Sequence, residues 1–234
     1  MQFNKNVDAK TDSFGSDKVS SIWESGVYQA KLKYVADDVT KKGNQVVNVS
    51  IEINGLEKVF PFYPINSKTG DQFYYDKDNN KKVMPGFQML NSLFYVVTGK
   101  KLDEADFKQE KKAIKVYNFA ERKDEIKELM VYTKLSDQPI SVAVKQMEKH
   151  KTVEQDGKYV PTTETFMTNE IDKFLSAKGF TARELHDGSD AEYALKFREK
   201  HTGEVFKEKL KVAPIAVNGA ASESKAATVK SLFD

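Results

Sequence analysis

The sequence predicts a mainly β protein with added helices (α+β): an antiparallel, barrel-like sheet interrupted by one inserted helix and followed by a C-terminal helical extension. Three observations carry this. Apolar and polar residues alternate with period two in short runs up to about residue 165. Those runs are punctuated by Asn-Gly, Asp-Asn-Asn and Asp-Gly turn signals. The period lengthens to a helical one over residues 84–102 and again past residue 165.

Residues 1–21 are polar and rich in Ser, Asp and Lys, and read as a loosely held arm. In "GVYQAKLKYV" (26–35), Val27, Gln29, Lys31 and Lys33 alternate with Tyr28, Ala30, Leu32 and Tyr34, the pattern of a strand with one wetter face. "VVNVSIEI" (46–53) alternates again after a lysine-tipped loop, which makes a hairpin. Asn54-Gly55 follows, a turn whose two central residues take positive φ, and "LEKVFPFYPI" returns as a third strand. Pro61 and Pro64 lack the N–H a ladder needs, so this strand must end, bulge or lie at an edge. "QFYYDKDNNKKV" (72–83) forms a second hairpin. "MPGFQMLNSLFYVVTGKKL" then sets Phe87, Leu90, Leu93, Phe94 and Val97 on one helical face, with Gly99 as its stop.

"AIKVYNF", "ELMVYTKL" and "PISVAVKQMEKH" are further strands, and "VEQDGKYVP" turns at Asp156-Gly157. Short strands in a meander around one helix point to a small barrel, whose five-stranded form is the OB-fold. Past residue 165 the chain reads as helical. Thr181 with Glu184, and Ser189 with Glu192, have capping-box spacing, and Gly179 and Gly203 sit where helices would stop. "AEYALKFREKHTG" is read as helix in preference to strand. The organisation expected is an arm over 1–21, a barrel core over 22–165, a helical extension over 166–212 and an Ala/Ser-rich tail over 213–234.

Composition excludes several function classes. The 234 residues are 39% apolar, enough for a buried core. Lys plus Arg number 37 against 35 for Asp plus Glu, so a nucleic-acid site has to be a local patch. The absence of cysteine removes disulfide, thiolate-metal and thiol-nucleophile chemistry and fits a reducing cytoplasm. No apolar run of signal-peptide or membrane-spanning kind is present, so the expectation is a soluble cytoplasmic protein without a membrane partner. His150, His186 and His201 have no metal-ligand spacing. "DKDNNKK" from Asp76 starts like a calcium loop but has Lys81 and Phe87 where Gly and Glu belong. No phosphate-binding glycine motif occurs, and no cofactor or metal is expected. "DEIK" (124–127) has the acid-x-lysine spacing of metal-dependent nucleases without the further carboxylates such a site requires.

What the sequence does carry is rings beside cations, the combination that stacks exposed bases and tracks a phosphate backbone. The rings are Trp23, Tyr28, Tyr34, Tyr63, Tyr74, Tyr75, Tyr117 and Tyr132. The cations are Lys31, Lys33, Lys41, Lys42, Lys81, Lys82, Arg122 and Lys134. Phe60 and Phe62, two apart, share a face and are expected to pack inward or onto the inserted helix. Adjacent rings in "QFYYD" point to opposite faces of a strand, which leaves at least one open to a ligand. Trp23, Tyr28, Tyr63, Tyr74 and Tyr75 are the leading stackers, and Lys41, Lys42, Lys81 and Lys82 the leading phosphate partners.

The order of elements, the tail, and above all "TNEIDKFLSAKGFTARELHDGSDAEYALKFREKHTGEVFKEKLKV" (168–212) resemble the phage-encoded single-stranded-DNA-binding proteins of replication and recombination. The resemblance implies an OB-fold core that coats single-stranded DNA without catalysis, in the host cytoplasm. It also implies a C-terminal tip, here Leu232, Phe233 and Asp234, that recruits replication or recombination proteins. Such tips are acidic and end in Phe, whereas "SESKAATVKSLFD" carries Lys225 and Lys230 and ends Phe233-Asp234. No oligomeric state follows. Two other functions fit the same residues: a metal-dependent nuclease around Glu125, and a non-enzymatic protein-interaction or virion module using the exposed rings as a docking patch.

Overall fold

The computed structural model describes residues 22–104, 106–118, 123–210 and 212–216; the predicted arm and nearly all of the predicted tail lie outside them. The chain opens with a meander, β1 (Gly26–Val39), β2 (Gln45–Ile53) and β3 (Leu56–Phe62). Asn54 and Gly55 join the last two at φ of 51° and 78°, the positive pair a tight hairpin requires. Pro61 is accommodated because, among the described residues, β3 is an edge strand hydrogen-bonded to β2 alone. β4 (Phe73–Tyr75) and β5 (Lys81–Val83) form a separate two-stranded sheet.

Helix α1 (Pro85–Thr98) starts on a proline, and Gly99 in the left-handed conformation stops it. β6 (Gln109–Asn118) and β7 (Lys123–Tyr132) make a hairpin, and β8 (Gln138–Gln155) and β9 (Lys158–Ser176) a much longer one that turns at Asp156-Gly157. Helices α2 (Ala182–Asp187) and α3 (Glu192–His201) follow, then the short β10 (Val205–Lys207). The main sheet runs β10-β8-β1-β2-β3, with β9 also on β8 and the β6–β7 hairpin joined to β1 through β7. All pairings between these strands are antiparallel except β10 with β8.

A bulge between Leu32 and Tyr34 divides β1. Leu32 and Val35 face the main core with Val49, Ile51, Leu90, Leu93, Phe94, Ile140 and Phe174, while Tyr34 and Ala36 face a second cluster with Leu129 and Val131. Leu32 and Tyr34 therefore occupy different faces, although unbroken alternation predicts one; the extra residue of a bulge rotates the strand beyond it.

No ladder closes the sheet into a barrel among the described residues. Two expectations are corrected. The predicted boundary at 165 falls inside β9, so residues 166–176 are strand, and Gly179 belongs to the turn after it. Ser189 caps nothing. Helix α3 begins after Ala191; the Glu192 N–H that a Ser189 cap would serve donates to the Asp190 carbonyl at 2.9 Å, and Tyr193 N–H donates to Glu184 Oε1 at 2.8 Å. The Thr181–Glu184 box and the helical reading of α3 match the structure. Among the described residues no helix is long and apolar enough to cross a membrane.

Candidate nucleic-acid interface

The rings before and within the main sheet are packed rather than presented. Trp23 is 9% exposed; its ring meets Phe60 at 6.1 Å, and Lys58 Nζ stands 4.6 Å from its centroid. Its backbone exchanges two hydrogen bonds with Asn169 on β9, N–H to Oδ1 at 3.0 Å and carbonyl from Nδ2 at 2.7 Å. Burial pulls the Lys58 ammonium below its ordinary pKa. Tyr34 is buried in the second cluster, and burial, with Glu57 and Asp38 nearby, pushes its phenol up to about 12. Tyr132 packs edge-on against Phe94 and donates to Asp37 Oδ2 at 3.2 Å; burial and then Asp37 raise its phenol. Tyr28 leans on the core and donates to the Glu24 carbonyl at 2.8 Å.

These four rings correct the predicted set. Trp23 and Tyr34 are buried, and Tyr28 and Tyr132 are half-buried against the core, whereas base stacking needs an open face. Phe60 and Phe62 go inward as expected, Phe62 meeting Phe174 at 5.6 Å. Tyr63 is half-buried, and burial raises its phenol.

The β4–β5 hairpin is different. Its register sets Tyr74 opposite Lys82 and Tyr75 opposite Lys81, and cross-strand partners share a face. One face carries Tyr74 and Lys82, the other Phe73, Tyr75, Lys81 and Val83. Phe73 and Tyr75 meet edge to face at 5.9 Å, and Lys81 Nζ lies 3.7 Å from the Phe73 centroid. Tyr74 and Tyr75 are 38% and 58% exposed. Asp76 is turned into the tip: it accepts the N–H of Asn80 at 2.9 Å and of Asp78 at 3.0 Å, with Lys82 Nζ 3.8 Å away. The Asn80 N–H above all holds the Asp76 carboxyl below the usual carboxylate range. At the hairpin's base, Met84 N–H donates to Gln72 carbonyl at 2.9 Å.

Lys41 and Lys42 are exposed at the β1–β2 turn. Lys134 is exposed and lines a cleft of about 580 Å3 with Lys100, Phe107 and Glu104. Tyr117 stands opposite Asp124 in the β6–β7 ladder. Arg122 and the tip residues Leu232, Phe233 and Asp234 lie outside the described residues. In "DEIK", Asp124 pairs with Lys115 at 2.7 Å and Lys127 with Asp38. Among the described residues no three His, Asp or Glu side chains converge as a metal site requires.

The long β8–β9 hairpin presents rings that sequence reasoning missed. Tyr159 and Phe166 are each 44% exposed. Phe166 stands opposite Lys149, between the ion pairs Lys149–Glu170 at 2.6 Å and Lys151–Glu164 at 2.8 Å. The signal was the Asp156-Gly157 turn, whose following run continues as strand to Ser176. No family model, curated protein or solved structure matches the chain.

Proposed function

We propose that the chain binds single-stranded DNA without sequence preference and without catalysis, as a strand-coating protein of phage replication or recombination. The observation that carries this reading is the β4–β5 hairpin, with exposed Tyr74 and Tyr75 each opposite a lysine. Stacking on rings tolerates any base, and adjacent cations neutralise the backbone. An OB-fold reading of the core adds support. β1, β2, β3, β8 and β9 are the five strands such a fold uses, and α1 lies between the third and the fourth. Lys58 meets Asn169 and Phe62 meets Phe174, so β3 and β9 run alongside in the same direction, joined by side chains, which supports the partly open barrel of this reading. Loops 1–2 and 4–5 of that fold contact oligonucleotides; they correspond here to the turn with Lys41 and Lys42 and the turn beside Tyr159. Recruitment of replication or recombination proteins through Leu232, Phe233 and Asp234 belongs to the same reading.

The test is fluorescence anisotropy of labelled oligo-dT and of duplex DNA, in EDTA, across a salt series. Tight binding to oligo-dT that weakens steeply with salt, with weak binding to duplex, is expected, because displaced counterions set that slope. Binding to neither overturns the reading.

A further inference from the structure

We propose that the β4–β5 hairpin seats at junctions between single-stranded and double-stranded DNA, one face capping the terminal base pair and the other stacking the first unpaired base. This rests on the strand-binding reading above and names the DNA structure that the hairpin takes. Among the described residues the hairpin is joined to no other strand by a ladder, and both its faces carry an exposed ring with a lysine. Tyr74 with Lys82 and Tyr75 with Lys81 thus form two ligand faces separated by one backbone layer.

That separation decides which DNA fits. A sheet with its side chains fills a layer about 10 Å thick. Bases stacked along one strand repeat at about 3.4 Å. Two neighbouring bases in a continuous stack cannot meet both faces of the hairpin at once. A junction supplies a break in the stack, with a flat, apolar terminal pair on one side and a splayed base on the other. The two lysines then lie on opposite sides of the layer, within reach of the two diverging backbones, and Asp76 is held within the tip by the Asn80 and Asp78 amides.

The experiment compares the intact chain's anisotropy titrations of oligo-dT, blunt duplex, and the same duplex carrying that oligo-dT as a single-stranded tail. 2-Aminopurine in the terminal pair reports stacking at the junction. The tailed duplex is expected to bind roughly tenfold or more tighter than oligo-dT alone, the gain of one further stacked face. Tyr74→Ala and Tyr75→Ala are each expected to reduce that ratio to near one, and Tyr74→Phe, which retains the ring, to preserve it. Equal affinity for the tailed duplex and oligo-dT overturns the junction assignment while leaving strand binding standing. So does a preference lost in Tyr74→Phe as fully as in Tyr74→Ala. Binding to no DNA overturns both.

Discussion

The side-chain amide of Asn169 is 8% exposed and carries four bonds. Its Oδ1 accepts from Trp23 N–H and from Lys58 Nζ, at 3.0 and 2.6 Å; its Nδ2 donates to the carbonyls of Trp23 and Lys145, at 2.7 and 3.5 Å. A buried amide is tolerated when its donors and acceptors are met in this way. Two of those bonds fix the Trp23 backbone, and swinging its ring out to stack on a base would give up its contacts with Phe60 and the Lys58 ammonium, which is the physical reason this ring belongs to the fold. Gly86 shows a second local constraint. A Cβ there would lie 2.2 Å from the Tyr63 carbonyl oxygen and 2.7 Å from its nitrogen, all backbone. Gly86→Ala gains helix propensity of about 1 kcal/mol at most. Forcing two backbones apart costs more, so a net loss of roughly 1–3 kcal/mol is expected in urea unfolding. An unchanged midpoint would mean that the Tyr63 segment moves freely.

Among the elements, α2 depends most on its ends. Six residues are too few for a helix to persist by propensity alone. Thr181 Oγ1 accepts the Glu184 N–H at 3.1 Å, and Glu184 Oε2 accepts the Thr181 N–H at 2.7 Å. Glu184 also uses Oε1 on Tyr193 N–H, so one carboxylate caps two consecutive helices. Burial opposes its charge, but the bonds from Thr181 and Tyr193 outweigh that and hold its carboxyl below the usual range. Thr181→Ala is expected to cost about 1 kcal/mol, within 0.5–2, read as a shift in the urea midpoint with Thr181→Ser close to the parent. The Thr-x-x-Glu spacing was legible in the sequence. The equally good Ser189-x-x-Glu192 spacing was not realised: α3 begins after Ala191, and the Glu192 N–H that a Ser189 cap would serve donates to the Asp190 carbonyl at 2.9 Å.

At the scale of the whole molecule, β3 and β9 are held together by side chains, Lys58 to Asn169 and Phe62 to Phe174. Phe174 is 1% exposed and Phe62 half-buried, so the ring contact sits at the rim of the core. Phe174→Ala is expected to cost roughly 3–5 kcal/mol in denaturant unfolding. A double-mutant cycle with Phe62→Ala should return a coupling of roughly 0.5–1.5 kcal/mol; a coupling of zero would show that the two edges do not act as one seam.

Taken by itself, the sequence determined the period-two runs that became β1, β2, β3 and β8, the helical face of α1, and the turns at Asn54-Gly55 and Asp156-Gly157. It also determined that Tyr74 and Tyr75 point to opposite faces. These features depend on the φ preferences and spacing of neighbouring residues, which a short window contains. Only the tertiary structure decided that the bulge after Leu32 separates Tyr34 from Leu32, that β9 runs on to Ser176, and that Trp23 and Tyr34 are core while Tyr74 and Tyr75 stay open. Whether a ring is covered depends on what the rest of the chain places over it. For Trp23 that cover is anchored by Asn169, 146 residues away, a contact that no local pattern records.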